Sequence, residues 1–164
     1  MNVVELARQA SLAGGALLLF LETAALFGLF VPGGDSLVLA LGALASTGAV
    51  DPLPLWLALA AATTLGQWVG YFWGRKLGPG LERRIDPDRL RRARRFLGRF
   101  GAWAVLLAPW LPVVRTLTPF LMGAARLPVP AYLLVSALAA WIWTGSLTAA
   151  GYLAAAWVLR LLAV

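Results

Sequence analysis

Residues 25–42 read ALFGLFVPGGDSLVLALG, and the six at their centre, Val31-Pro32-Gly33-Gly34-Asp35-Ser36, decide how the chain folds. A proline, two glycines and a carboxylate interrupt residues otherwise suited to lipid. The apolar runs on either side, 16–31 and 35–48, are each too short to cross about 30 Å of hydrocarbon at about 1.5 Å per residue. Pro-Gly-Gly opposes joining them into one helix. A break at membrane depth must be surrounded by protein or water, because lipid cannot satisfy free backbone groups. The stretch therefore predicts a re-entrant hairpin over 16–48, broken at Pro32, Gly33 and Gly34.

The rest of the chain belongs to the same solvent. Of 164 residues, 61% are hydrophobic and 13% charged, more apolar surface than one small water-soluble core buries. The expected fold is an all-α integral membrane protein of one domain, 1–164. Its parts are an N-terminal interfacial segment 1–15, the hairpin 16–48, a transmembrane helix 53–74, a basic amphipathic cytoplasmic loop 75–100, a second re-entrant hairpin 102–126 and a C-terminal transmembrane helix 129–163. Glu22 inside the first apolar run, with only Arg8 as a basic residue before it, sets that run apart from a signal peptide. Cysteine and histidine are absent, which removes thiolate nucleophiles, disulfides and the commonest metal ligands. No cofactor or metal site is expected, and no enzyme activity.

Ten of the 14 Lys and Arg residues lie between Arg75 and Arg99, and the positive-inside rule makes that loop cytoplasmic. Within it DPDRLRRARRFLGRF, residues 86–100, reads as a short helix. Asp86 can cap it, Pro87 suits its first position, and Leu90, Ala93, Leu97 and Phe100 recur at helical spacing. Such a helix fits anionic lipid headgroups. Nucleic acid is not expected, because no stacking aromatics interleave the charges. The expected partners are membrane lipids, with a homo-oligomer left open.

A second break falls in LLAPWLPVVRTLTPFLMGAARLPVP, residues 106–130, where Pro109, Pro112 and Pro119 interrupt an apolar run that also carries Arg115. A cation at bilayer depth costs several kcal/mol, on the order of 3, unless paired or hydrated. Each break precedes a run of spanning length. With the basic loop inside, the first hairpin opens outward and the second inward, so the halves become inverted repeats whose broken tips meet near the midplane, the layout of alternating-access carriers. Gly66, Gly70, Gly74 and Gly78 recur every four residues, as a close-packing helix face requires. Trp56, Trp73 and Trp103 fit interfacial anchoring, Trp110 falls on the second hairpin, and Arg126 and Arg160 are placed to snorkel.

Four stretches carry a family resemblance: LETAALFGLFVPGGDSLVLALGAL (21–44), LGQWVGYFWGRKLG (65–78), VVRTLTPFLMG (113–123) and WIWTGSLTAAGY (141–152). In this order and spacing the chain resembles the DedA family of membrane proteins, which carry the VTT or SNARE-associated domain. The resemblance implies an inner-membrane protein with re-entrant loops, and a family linked to lipid translocation, undecaprenyl phosphate recycling and proton-motive-force homeostasis. It matches Glu22 to the acidic residue ahead of the Pro-Gly turn, Asp35 to the one after it, and Arg115 to the arginine of V-R-T-x-x-P. Two departures stand out. Asp35 follows Pro-Gly-Gly where many relatives have the acid directly after Pro-Gly, and Pro109 stands where relatives often have an arginine. A further helix usually follows the Gly-Tyr motif. Here Leu153–Val164 read as an extension of the last helix.

Arg115, Glu22 and Asp35 are the expected substrate-binding residues. Asp35 can also serve simply as a helix cap, and the three can form a purely structural ion pair. The leading expectation is a transporter of a phosphate-bearing lipid, coupled to protons or the membrane potential. The alternatives are a proton-coupled carrier of small ions or solutes and, more remotely, a lipid-modifying enzyme.

Overall fold

The computed structural model describes residues 3–24, 33–81, 99 and 101–162, and every regular element among them is helical. Val31 and Pro32 of the break expected after the first apolar run lie outside the described residues, as does the basic helix expected over 86–100 except for Arg99. Helix α1 is Val3–Ala24, α2 Gly34–Ser46 and α3 Pro52–Leu81. After Gly101 come α4 (Ala102–Leu107), a single 3₁₀ turn at Ala108–Trp110, α5 (Pro112–Ala124) and α6 (Val129–Leu162).

Local chemistry sets most of these limits. Pro52 opens α3, with the Asp51 carbonyl accepting from the Leu55 amide at 3.2 Å, and Pro112 opens α5, a position where the missing N–H costs nothing. Leu111, ahead of Pro112, is extended, as the ring of a following proline demands. Pro119 breaks nothing: it lies inside α5. It cannot donate to the carbonyl of Arg115 four residues back, and its fully buried ring packs against Gly70. Two helices exceed the sequence expectation. α1 runs unbroken from Val3 through Gly14-Gly15, because no proline accompanies those glycines and Gly15 admits Leu41 of α2. α3 continues past 74 to Leu81.

Gly15 lies against Leu41 and Gly34 against Glu22, so α1 and α2 run antiparallel. α3 and α6 are also antiparallel: Tyr71 stacks on Tyr132, and the indole N–H of Trp68 donates to the Leu133 carbonyl at 3.3 Å. α2 packs along α6, and α5 along α3. Both contacts are glycine crossings of one form. Gly74 abuts the Phe120 carbonyl and Gly123 the Tyr71 carbonyl, while Gly42 abuts the Thr148 carbonyl and Gly151 the Leu39 carbonyl. Each glycine thus meets the carbonyl three residues before its partner glycine. A side chain at any of the four would collide with backbone, so the crossings need glycine.

Among the described residues two apolar clusters form the core. One joins Leu19, Val38, Leu41, Leu55, Leu59 and Trp143 from α1, α2, α3 and α6. The other joins Tyr71, Ala104, Val105, Met122 and Tyr132 from α3, α4, α5 and α6. Among the described residues α6 is the one helix both long and apolar enough to cross a membrane. α3 has the length, but Thr63, Thr64 and Gln67 lower its hydropathy.

Candidate functional site

The three charged residues singled out in apolar sequence meet at one point. Arg115 sits in the first turn of α5, where its amide donates to the Leu111 carbonyl at 2.8 Å. Its Nη1 donates to Asp35 Oδ1 at 2.8 Å and its Nη2 to Glu22 Oε1 at 3.0 Å. The guanidinium fork therefore holds one carboxylate from each of the antiparallel helices α1 and α2. Arg115 is buried, with 6% of its side chain exposed, against 14% for Glu22 and 37% for Asp35. Asp35 is the accessible corner.

A fourth member escaped the sequence reading. Trp143 of α6, 1% exposed, lies with its ring centroid 4.5 Å from Arg115 Cζ. Its π face stabilises a desolvated cation, so the guanidinium is bounded by two carboxylates and an indole ring. The signal was available only in hindsight, since a tryptophan inside an apolar helix looks the same whether it faces lipid or a buried charge.

The residues expected to break the backbone divide. Gly33 is the N-cap of α2, its carbonyl accepting from the Leu37 amide at 2.8 Å. Gly34 lies directly under the Glu22 carboxylate, which a Cβ there would strike; this is the physical use of the second glycine in Pro-Gly-Gly. Pro112 starts the helix that carries Arg115. Pro119, by contrast, belongs to the α3–α5 packing, and Pro32 lies outside the described residues. Asp35 is not the N-cap of α2, a position Gly33 takes; it lies one residue inside the helix, and its carboxylate accepts from Arg115. Its charge still sits in the first turn, where the helix dipole favours it.

Two carboxylates about one guanidinium leave the cluster with a formal charge of −1 when all three are ionised. Such a cluster can hold a proton, or exchange one carboxylate for another anion, without leaving the cation unpaired. Among the described residues no group of three His, Cys, Asp or Glu could hold a metal ion.

The helices, their glycine crossings and the buried charged cluster are what the described residues show, and comparison with known proteins supplies the class, a membrane protein. The VTT domain matches residues 31–153. An uncharacterized membrane protein of Mycobacterium leprae is 33% identical over 148 residues, 87% of this chain and 66% of that protein. The inner membrane protein YghB of Escherichia coli is 36% identical over 139 residues, 82% of this chain and 63% of its own. YqjA of the same organism is 31% identical over 141 residues, 83% and 64% respectively. No solved structure gives a significant match. The chain belongs to the DedA family of VTT-domain membrane proteins, and it spans just under two thirds of the length of these curated relatives.

Proposed function

We propose that this chain is a multi-pass protein of the bacterial inner membrane that moves a phosphate-bearing lipid, a polyprenyl phosphate or a phospholipid, between leaflets, coupled to protons or to the membrane potential. The two broken elements act as hairpins inserted from opposite faces, with 75–100 cytoplasmic. The antiparallel α3 and α6 and the matched crossings support that arrangement.

The observation that carries the reading is the buried Arg115 with its two exchangeable partners. Guanidinium donates two parallel hydrogen bonds to phosphate, as it does here to two separate carboxylates. Protonation of Asp35, the more exposed partner, frees Nη1 for a phosphate oxygen while Glu22 keeps the cation paired. Deprotonation restores the ion pair and expels the phosphate. A groove of about 710 Å³ begins one turn beyond Asp35, along α2 and α6, lined by Leu39, Ala43, Thr47, Ala150, Ala154 and Val158 among others. It favours a substrate with an apolar chain over a bare ion.

Reconstitution with labelled polyprenyl phosphate, labelled glycerophospholipid and a small anion tests this. Arg115→Lys keeps the charge and loses the fork, so lipid transfer should fall at least tenfold while the melting temperature stays close to native. Native transfer by Arg115→Lys overturns phosphate binding. Flux of the small anion with no lipid transfer selects the solute carrier instead.

A further inference from the structure

One set of buried polar groups has no part in the ion cluster. On α3, Thr63, Gln67 and Tyr71 are spaced by four residues and so share one helix face. Their exposures are 0%, 4% and 0%. On α6, Tyr132 and Ser136 are equally buried, at 1% and 0%. Tyr71 stacks on Tyr132 with ring centroids 4.4 Å apart. In antiparallel helices that register carries Gln67 to the level of Ser136 and Thr63 to that of Ala140, one turn short of Trp143 and the guanidinium it supports.

The file is anchored at one end and open-valenced at the other. The Tyr71 hydroxyl donates to the Leu127 carbonyl and accepts from Arg75 Nη1 at 3.0 Å, and Arg75 is exposed. Thr63 behaves differently from its neighbours. Thr64, Thr118 and Thr144 each return their hydroxyl to the carbonyl four residues back, as threonines in apolar helices do. The Thr63 hydroxyl is fully buried and has no hydrogen-bond partner among the described residues. A buried orphan of this kind calls for a water molecule or a functional role.

We propose that α3 and α6 enclose a hydrated polar path, through Tyr71, Gln67, Ser136 and Thr63, that carries protons from the Arg75 end of the fold to the Glu22–Asp35–Arg115 cluster. It rests on the proton coupling proposed above. Hydroxyls and a carboxamide both donate and accept, which a relay of protons along water requires.

The chain contains no cysteine, so single thiols report access without background. A thiol reacts as its thiolate, which forms only where water reaches it. Thr63→Cys and Gln67→Cys should react with a small cationic methanethiosulfonate at least tenfold faster than Leu59→Cys, which is as buried but sits in the apolar cluster. They should do so from the side on which Arg75→Cys reacts and not from the side on which Ser46→Cys reacts. Rates equal to that of Leu59→Cys, or reaction from the Ser46 side, overturn the path. Should Thr63→Cys fail gel filtration, Gln67→Cys decides. In vesicles carrying a pH dye, Gln67→Leu should lower gradient-driven proton uptake at least tenfold; native uptake overturns the proposal. Labelling needs no transport, so a chain that labels as expected but moves no lipid refutes the lipid reading alone.

Discussion

The α2–α6 and α3–α5 pairs are built alike and end in opposite chemistry. α2 and α5 are both 13 residues long, and both lock onto a long helix through two glycines and two carbonyls in the same reciprocal pattern. Each follows a break in the chain. Yet α1 and α2 bring carboxylates, Glu22 and Asp35, at their adjacent ends, whereas α5 brings Arg115. A scaffold of two similar halves thus yields a site whose two sides bind each other. The scaffold positions the helix ends, and their opposite charges bind them to one another.

The largest effect should come from stripping the acidic tip. Glu22→Gln or Asp35→Asn alone leaves Arg115 with one carboxylate, and each should cost no more than about 1–2 kcal/mol. Both together leave a buried cation without a counter-ion, at about 3–5 kcal/mol. Denaturation in detergent should therefore show the double variant losing more than the sum of the singles. Additive losses would mean that the carboxylates do not share one guanidinium.

Next come the crossings. Gly123→Leu and Gly151→Leu force a side chain into backbone and should each destabilise by about 1–3 kcal/mol or more. Gly14→Leu, with nothing within 4 Å of a Cβ, should be neutral or stabilising by a few tenths, since leucine is the better helix former. Matching losses at Gly123 and Gly151 sharpen the equivalence of the two pairs. A loss at one alone breaks it.

How much of this was legible in the sequence follows from what kind of signal each residue gives. Gly33 and Pro112 announce helix starts because their backbone limits are intrinsic. Glu22, Asp35 and Arg115 announce a buried cluster because charge in an apolar run has few other homes. The spacing of Gly66, Gly70, Gly74 and Gly78 announces a packed face, and Gly74 indeed touches α5. Three features depend on tertiary partners and gave no such warning. α1 continues through Gly14-Gly15 because Leu41 fills the gap, Pro119 stays helical because it packs on Gly70, and Trp143 turns inward because Arg115 is there. Asp35 is a case in point: the sequence allows it to cap the second helix, but the helix begins one residue earlier, after Gly33, and the carboxylate meets a guanidinium at 2.8 Å.

The smallest expected effect compares the far ends of the same two helices. α2 closes with Thr47 in the right-handed region and Gly48 at φ 78, and α5 closes with Ala125 in the right-handed region and Arg126 at φ 54. At the α5 end the Arg126 amide donates to the Gly123 carbonyl at 3.0 Å and the Leu127 amide to the Met122 carbonyl at 3.2 Å, the paired bonds of a glycine-type helix stop. One half of the molecule thus fills its left-handed position with glycine and the other with arginine. A side chain there costs about 1–2 kcal/mol that glycine avoids, less what glycine adds to the entropy of the unfolded chain. Arg126→Gly should therefore raise stability by about 0.5–1 kcal/mol, and Gly48→Ala should lower it by about 1 kcal/mol or more. Thermal unfolding in detergent reads both. If Arg126→Gly destabilises instead, the guanidinium of Arg126 contributes more than its backbone costs, and the two ends are alike in geometry but not in what holds them.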